Sequence, residues 1–258
     1  MSGNVVDPTK ISIRPIEKSV AKKLIVENHY SHKWTSCRFA LGVFYQESES
    51  HSWFTETDKL VGCIIYGYPV GRQTSDSISP LIKKGEVLEL TRLWIDDDYG
   101  KNTESYVIGQ SFRWLKSNSS DTKVLISYSD PEQGHSGTIY QATNWLYQGN
   151  KTMRMDAHSF KLEKSGPWLH QRAINAKYER VGLKSLTTKI KTPFWRKQDM
   201  HKHRYIYLLC SKSERKQILK TLKHPAIPYP PPTEKCIPKI EQIDLINGEI
   251  VITEVENI

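Results

Sequence analysis

Apolar and polar positions follow two rhythms along this chain, and the switches between them mark its elements. Ile11–Ile16 alternates as a first strand, and Glu17–Asn28 places Val20, Leu24 and Ile25 on one face of a helix. A polar and aromatic loop, His29-Tyr30-Ser31-His32-Lys33-Trp34, follows. Phe39–Tyr45 and Leu60–Tyr68 are rich in β-formers and pair as an antiparallel hairpin around the polar Gln46–Lys59 loop. Pro69–Gly85 is irregular, Val87–Ile95 is a further strand ended by Asp96-Asp97-Asp98-Tyr99-Gly100, and Asn102-Thr103-Glu104-Ser105 opens a helix to about Lys116. Later come a short helix near Trp168–Glu179, an ordered Lys184–Lys191, a strand Arg204–Cys210 and a helix Ser213–Leu222. Pro225–Pro238 holds six prolines and reads as extended. Beyond it, Asp244–Val255 reads as two strands about Asn247-Gly248, a type I′ hairpin signal.

The most informative stretch is Lys123–Gly149. Lys123–Tyr128 is a strand broken by Ser129-Asp130-Pro131, a polar loop carries His135 and Gly137, and Thr138–Tyr147 has the apolar pattern of a helix closed by Gly149. Loops leaving strand ends commonly hold the chemistry of an α/β protein, and Asp130, His135 and Tyr140 are three proton-handling groups in this one. The competing reading is plain packing: Asp-Pro opens many turns, and a helical Tyr usually fills a core.

A chain of 258 residues with 38% hydrophobic content can bury a core without staples. No run approaches the ~18 apolar residues of a membrane span, and the first ten residues lack the apolar centre of a signal peptide. A soluble, cytoplasmic protein without a membrane partner is the expectation. Cys37, Cys63, Cys210 and Cys236 show no C-x-x-C spacing and read as reduced thiols. Charge is informative by location. Residues 151–224 carry 19 Lys/Arg against 5 Asp/Glu, a net of +14 in a chain of +9, which leaves the remainder at −5. Such a block favours a polyanion, because each phosphate neutralised releases condensed counterions. The alternative is ordinary solvated surface.

The element order, with a long strand ending in Asp and a helix bearing Tyr, resembles the GNAT (GCN5-related N-acetyltransferase) superfamily. More specifically, the chain resembles the Mom family of bacteriophage DNA-modification proteins, a divergent branch of that fold. The resemblance rests on His29-Tyr30-Ser31-His32, Leu90-Thr91-Arg92-Leu93, Asn102-Thr103-Glu104-Ser105, Ser127-Tyr128-Ser129-Asp130, Gly134–Trp145 and His203-Arg204-Tyr205, roughly residues 25–210. It implies an α/β (α+β) fold, a mixed, mostly antiparallel sheet flanked by helices, to which the composition adds a Pro-rich C-terminal extension. Together with the charge block and the proline run, the expected domains are a GNAT-like modification domain over 10–222, with a basic DNA-contacting part over 151–224, and a Pro-rich linker with a short hairpin tail over 225–258. The implied function is conversion of adenine in phage duplex DNA to an N6-methylcarbamoyl derivative that resists host restriction. Acetyl-CoA or a related acyl-CoA is the implied donor class, with its pyrophosphate at Lys101, Asn102 and Thr103. Glycines expected near Thr103 and Ser105 are absent.

Adenine N6 is a weak nucleophile, so transfer to it needs a proton acceptor at N6 and an acid or oxyanion donor at the carbonyl. Asp130 is the candidate acceptor, and Tyr140 takes the acid role that the resemblance assigns to it. Arg92, mid-strand, either binds an anion through its planar fork or is a salt-bridged strand residue. Ser105 either touches an acyl or phosphate oxygen or merely begins its helix. His29, Tyr30 and His135 are substrate-side candidates, Tyr30 with Trp34 and Trp145 being the aromatic ones for an adenine flipped out of the duplex. His29, His32 and Asp130 would suit iron or another divalent metal, unless these loop histidines are only hydrogen-bonded. Lys189, Lys191, Arg196, Lys197, Lys202 and Arg204 form the expected phosphate track. Two other functions fit the same fold: an N-acetyltransferase for a small amine or protein lysine, and a DNA-binding protein without catalysis.

Overall fold

The computed structural model describes residues 7–46, 58–71, 73–150, 157–180, 182–232, 234–256 and 258. Most of the expected Gln46–Lys59 loop, and Lys151 and Arg154 of the basic stretch, lie outside these residues. The elements are β1 (Ile11–Pro15), α1 (Lys18–Asn28), β2 (Phe39–Gln46), β3 (Asp58–Gly67), β4 (Val87–Ile95), α2 (Thr103–Asn118), β5 (Val124–Ser129), α3 (Thr138–Ala142) and β6 (Leu146–Tyr147). They continue with β7 (His158–Lys161), β8 (Leu169–His170), α4 (Gln171–Tyr178), α5 (Leu183–Ile190), β9 (Phe194–Gln198), β10 (His203–Leu208), α6 (Lys212–Lys220), β11 (Ile240–Ile246) and β12 (Glu249–Val255). They form two compact units: residues 1–129, 137–149 and 204–229, and residues 130–136, 150–203 and 230–258. The basic stretch is shared between them.

The first unit is built on a seven-stranded sheet of order β1-β2-β3-β4-β5-β10-β6. β1 to β4 run antiparallel in turn, and β4 and β5 are parallel. Neighbouring residues of β3 point to opposite faces, and each face has its own helix. Cys63 and Ile65 pack with Ala21 and Ile25 of α1, whereas Ile64 and Tyr66 pack with Val107, Ile108, Phe112 and Leu115 of α2. All of these but Phe112 are fully buried, so this part of β3 is covered on both faces. The buried Tyr66 hydroxyl is satisfied by Ser111 Oγ at 2.7 Å. The expected mixed, mostly antiparallel sheet flanked by helices is therefore the one observed.

One element differs from its reading. The apolar run Thr138–Tyr147 is not one helix, because α3 ends at Ala142. Thr143 Oγ1 donates to the Ile139 carbonyl at 2.8 Å, Asn144 takes a left-handed φ of 59°, and Trp145 N–H returns to the Tyr140 carbonyl at 3.0 Å. Asn tolerates that conformation better than most residues, so the chain turns there and Leu146-Tyr147 pairs with Ile206 and Tyr205 of β10. Trp145 is fully buried in the core and is excluded as a base-stacking surface.

The second unit has a five-stranded sheet, β12-β11-β9-β7-β8. Asn247 (φ 52°) and Gly248 (φ 81°) make the expected tight turn. The hairpin is no free tail, however. Ile240–Ile243 pair with Lys197–Phe194 of β9, and Ile243 is fully buried with Phe160, Ile174, Leu186 and Phe194.

Gly134 and Gly137 both have positive φ, 72° and 86°, yet only Gly137 is also sterically closed. A Cβ at Gly137 would overlap the Tyr205 ring, whereas one at Gly134 would meet nothing nearer than 3.7 Å. Gly134→Ala should cost about 1 kcal/mol from backbone strain. Gly137→Ala should cost at least about 3 kcal/mol, because strain and overpacking add. Urea unfolding of both variants measures the difference, and equal midpoints would refute the steric argument.

Candidate functional site

The parallel β4–β5 ladder lasts only three residue pairs, Val87↔Val124, Leu88↔Leu125 and Glu89↔Ile126. Just beyond it β4 carries a bulge. Ile65 faces Arg92 and Tyr66 faces Leu90, so Thr91 is an extra residue, and such a bulge bends a strand and re-aims its side chains. Past the end of the ladder, side chains serve the main chain. Ser127 Oγ lies 3.0 Å from the Leu90 carbonyl oxygen, and Arg92 Nη1 donates to the Thr91 carbonyl at 2.6 Å.

Tyr140 enters this wedge from α3. Its Oη is 2.8 Å from Ser127 Oγ. A serine hydroxyl has one proton and here two acceptors within reach, Leu90 O and Tyr140 Oη. When Ser127 donates to Tyr140, the phenol proton is left for a third group. Burial pushes the Tyr140 pKa up to about 12, opposed by the Ser127 bond, so the phenol is a proton donor at any physiological pH. Tyr30 and Glu89 add to that upward shift. The same two groups act on Arg92, whose pKa burial lowers and whose charge they support. Tyr30, Glu89, Arg92 and Tyr140 thus share one electrostatic neighbourhood.

Arg92 Nε donates to the Lys33 carbonyl at 3.1 Å. Two of its donors therefore go to main-chain carbonyls, and its guanidinium fastens the His29–Trp34 loop to β4. Tyr30 on that loop is 52% exposed, open enough to stack on an incoming ring. Glu89 and Ser127 join the site only through the fold. Glu89 is visible in the sequence as the other charge on VLELTRLWI and Ser127 as the first residue of the Ser127-Tyr128-Ser129-Asp130 string, but neither position by itself indicates a role.

The histidines divide by tautomer. His29 Nδ1 accepts the Ser31 N–H at 3.1 Å and lies 2.9 Å from Ser31 Oγ, so a neutral ring carries its proton on Nε2 and presents no lone pair there. His32 Nδ1 meets the Val26 carbonyl at 3.0 Å, which leaves Nε2 as the acceptor. Among the described residues no group of three His, Cys, Asp or Glu could hold a metal ion. The residues named for iron or another divalent metal therefore do not fit one here, and no step below uses it.

A cleft of about 440 Å³ opens at the start of α2, lined by Ile95, Asp96, Asp97, Gly100, Lys101, Asn102, Thr103 and Glu104. Asn102 sits at φ 70° and makes no side-chain cap. Thr103 Oγ1 is spent on the carbonyls of Tyr99 and Gly100, and Ser105 Oγ donates to Asn102 O at 2.9 Å. The position and the uncapped helix end suit a phosphate, but three carboxylates against one ammonium do not. The charge of this lining does not fit the pyrophosphate of an acyl-CoA, and no step below is routed through one.

In the second unit, Asp130 Oδ1 caps the following turn through Glu132 N–H at 3.0 Å, and Oδ2 pairs with Lys202 at 2.9 Å. Glu132 pairs with Lys197 and also accepts Met200 N–H at 3.3 Å. His135 is exposed. Arg196 pairs with Glu241 at 2.6 Å, Lys189 with Glu179 at 2.9 Å, and Lys191 is exposed at φ 62°. Arg204 is the correction. It belongs to the first unit, is 2% exposed, and donates from Nη2 to Ser77 Oγ at 2.9 Å, so it cannot join a surface phosphate track.

Residues 10–231 match the Mom protein family. Methylcarbamoylase mom of Escherichia phage Mu is 23% identical over 222 residues, covering 86% of this chain and 84% of that protein. Among solved structures, Arabidopsis thaliana NAA60 in complex with acetyl-CoA gives a TM-score of 0.43 at 12% identity, over 77% of this chain and 99% of that one. Spermidine/spermine N-acetyltransferase SpeG from Vibrio cholerae in complex with manganese ions gives 0.42 at 8% identity, over 81% of this chain and 98% of that one.

The α2 cleft yields a direct test. Like charges about 5 Å apart at an effective dielectric of about 20 repel by roughly 3 kcal/mol before screening. Calorimetric titration with CoA should therefore show Asp97→Asn/Glu104→Gln binding about tenfold tighter than the native chain. Equal affinities would mean that CoA does not sense these carboxylates.

Proposed function

The chain belongs to the Mom protein family, and on that premise we propose that it is a DNA-modifying transferase converting adenine in phage duplex DNA to an N6-methylcarbamoyl derivative. The modification protects the DNA from restriction in the host cytoplasm. The relative from phage Mu, a methylcarbamoylase by name, supports the reaction class. The observation that carries the reading is the wedge where β4 and β5 part, with Tyr140, its pKa pushed up by burial, bonded to Ser127, and with Glu89 and Tyr30 acting on both Tyr140 and Arg92.

The N6 lone pair is drawn into the purine ring, so the attacking amine must lose a proton as the new N–C bond forms. In this reading Asp130 accepts it, after exchanging its Lys202 pair for the substrate. As the donor's carbonyl–leaving-group bond breaks, Tyr140 gives a proton or hydrogen bond to the oxygen or leaving group on which negative charge develops, and it recovers a proton from solvent after release while Ser127 holds the phenol oxygen in place. Arg92 holds the loop so that Tyr30 can stack on a flipped adenine, with His29 buried behind it. His135, exposed on the turn after Asp130, is kept as a substrate-side group.

Nucleoside mass spectrometry of DNA from cells expressing the protein tests the activity, and an unmodified adenine pool would end the reading. Tyr140→Phe should lower the modified yield at least about 100-fold with stability nearly kept. Because burial holds the phenol pKa at about 12, the variant should lower the pH–rate profile without moving a limb below pH 10. A shifted basic limb would assign the titration to another group. Arg92→Lys should not rescue Arg92→Ala, since one ammonium lacks the planar fork that reaches both Lys33 O and Thr91 O. Recovery of activity in the Lys variant would reduce Arg92 to a point charge.

A further inference from the structure

Three of the six cations expected to track phosphates are engaged by carboxylates that sequence distance hides. Arg196 pairs with Glu241, Lys197 with Glu132 and Lys202 with Asp130. Among the described residues of the second unit, the densest exposed positive charge lies on α4 and α5 with their flanking residues, which carry Lys189 and Lys191 of that track together with cations outside it. Residues 171–191 contain Arg172, Lys177, Arg180, Lys184, Lys189 and Lys191 against one acid, Glu179. All six cations are exposed, and only Lys189 is paired with that acid.

The two helices are separated by residues 179–182, and each turns one side to the sheet. α4 buries Ile174, and α5 buries Leu186 and Thr187 with Leu183 and Ile190 packed beside them. That leaves Lys184, Ser185, Thr188 and Lys189 outward on α5, and Arg172, Ala173, Ala176 and Lys177 outward on α4. Cations mixed with small and hydroxylated residues let a helix approach a phosphate-lined groove closely, and among the described residues no large apolar side chain is exposed on these faces. α6 is the rival basic helix, but it exposes Leu219 among its lysines and carries Glu214.

We propose that the outer face of α4 and α5 is the duplex-DNA docking surface, with Arg172, Arg180 and Lys184 contacting phosphates and α5 presented to the groove. The inference rests on the reading of the substrate as duplex DNA. It moves the docking surface away from β9 and from the lysines that hold the Asp130–Glu132 turn.

The test is fluorescence anisotropy of a labelled 20-base-pair duplex across a salt series. Two charge-matched triple variants of the full chain are compared, Arg172→Gln/Arg180→Gln/Lys184→Gln and Lys212→Gln/Lys216→Gln/Lys220→Gln on α6. Gln removes the charge while keeping a polar, flexible side chain at exposed positions, and a thermal melt confirms that both variants fold. The α4–α5 variant should lose at least about tenfold in affinity at moderate salt and flatten the log–log salt slope by about 2.7, some 0.9 per contact removed. The α6 variant should change neither. Unchanged binding by the α4–α5 variant, or loss confined to α6, overturns the proposal. The nucleoside assay separates the two readings. A chain that binds through α4–α5 but modifies nothing keeps this surface and loses the activity. One that modifies adenine with native affinity in the α4–α5 variant keeps the activity and loses the surface.

Discussion

The site depends on where a hydrogen-bond ladder stops. β4 and β5 pair for three residues and then part, and buried main-chain carbonyls beyond that point still need donors. Ser127 answers Leu90, and Arg92 answers Thr91. The groups that repair the interrupted ladder are therefore the same groups that furnish the wedge. With one proton and two acceptors, Ser127 is both a structural plug and the link to Tyr140. Arg92 likewise closes the end of β4 and, through Lys33, ties down the loop that carries Tyr30.

A second constraint is electrostatic. Burial raises the Tyr140 phenol and lowers the Arg92 guanidinium, and Glu89 and Tyr30 act on both. A buried cation needs negative neighbours and a buried phenol prefers to stay neutral, so the fold favours one charge pattern: phenol protonated, guanidinium charged. In the second unit, by contrast, opposite charges meet directly. Lys197 and Lys202 hold the Asp130–Glu132 turn, and Cys236 N–H adds a bond of 2.9 Å to the Pro131 carbonyl. A polar loop of this kind has little apolar surface to bury, and long-range ion pairs order it instead.

Periodicity and turn residues were sufficient for most elements. The strand Val87–Ile95 and the Asn247-Gly248 hairpin were legible because alternation and positive-φ residues are local properties. The strings shared with the Mom family were legible for the same reason, and they led to Tyr140, Arg92 and Asp130. The apolar run after Thr138 was misleading. Spacing alone does not register that Asn144 reverses the chain and that Leu146-Tyr147 finds a strand to pair with.

Pairing over distance was beyond the sequence. The net charge of residues 151–224 was readable, but not that Glu132, Asp130 and Glu241 engage three of its cations, nor that Arg204 is buried against Ser77. Glu89 and Ser127 are ordinary strand residues until β4 lies beside β5 and α3 delivers Tyr140. The sequence by itself determined the element order, the family strings and the overall charge, since each depends on residues close together along the chain. Tertiary structure alone decided which charges remain open to solvent and which hydroxyl meets which carbonyl, because those depend on distances that only packing sets.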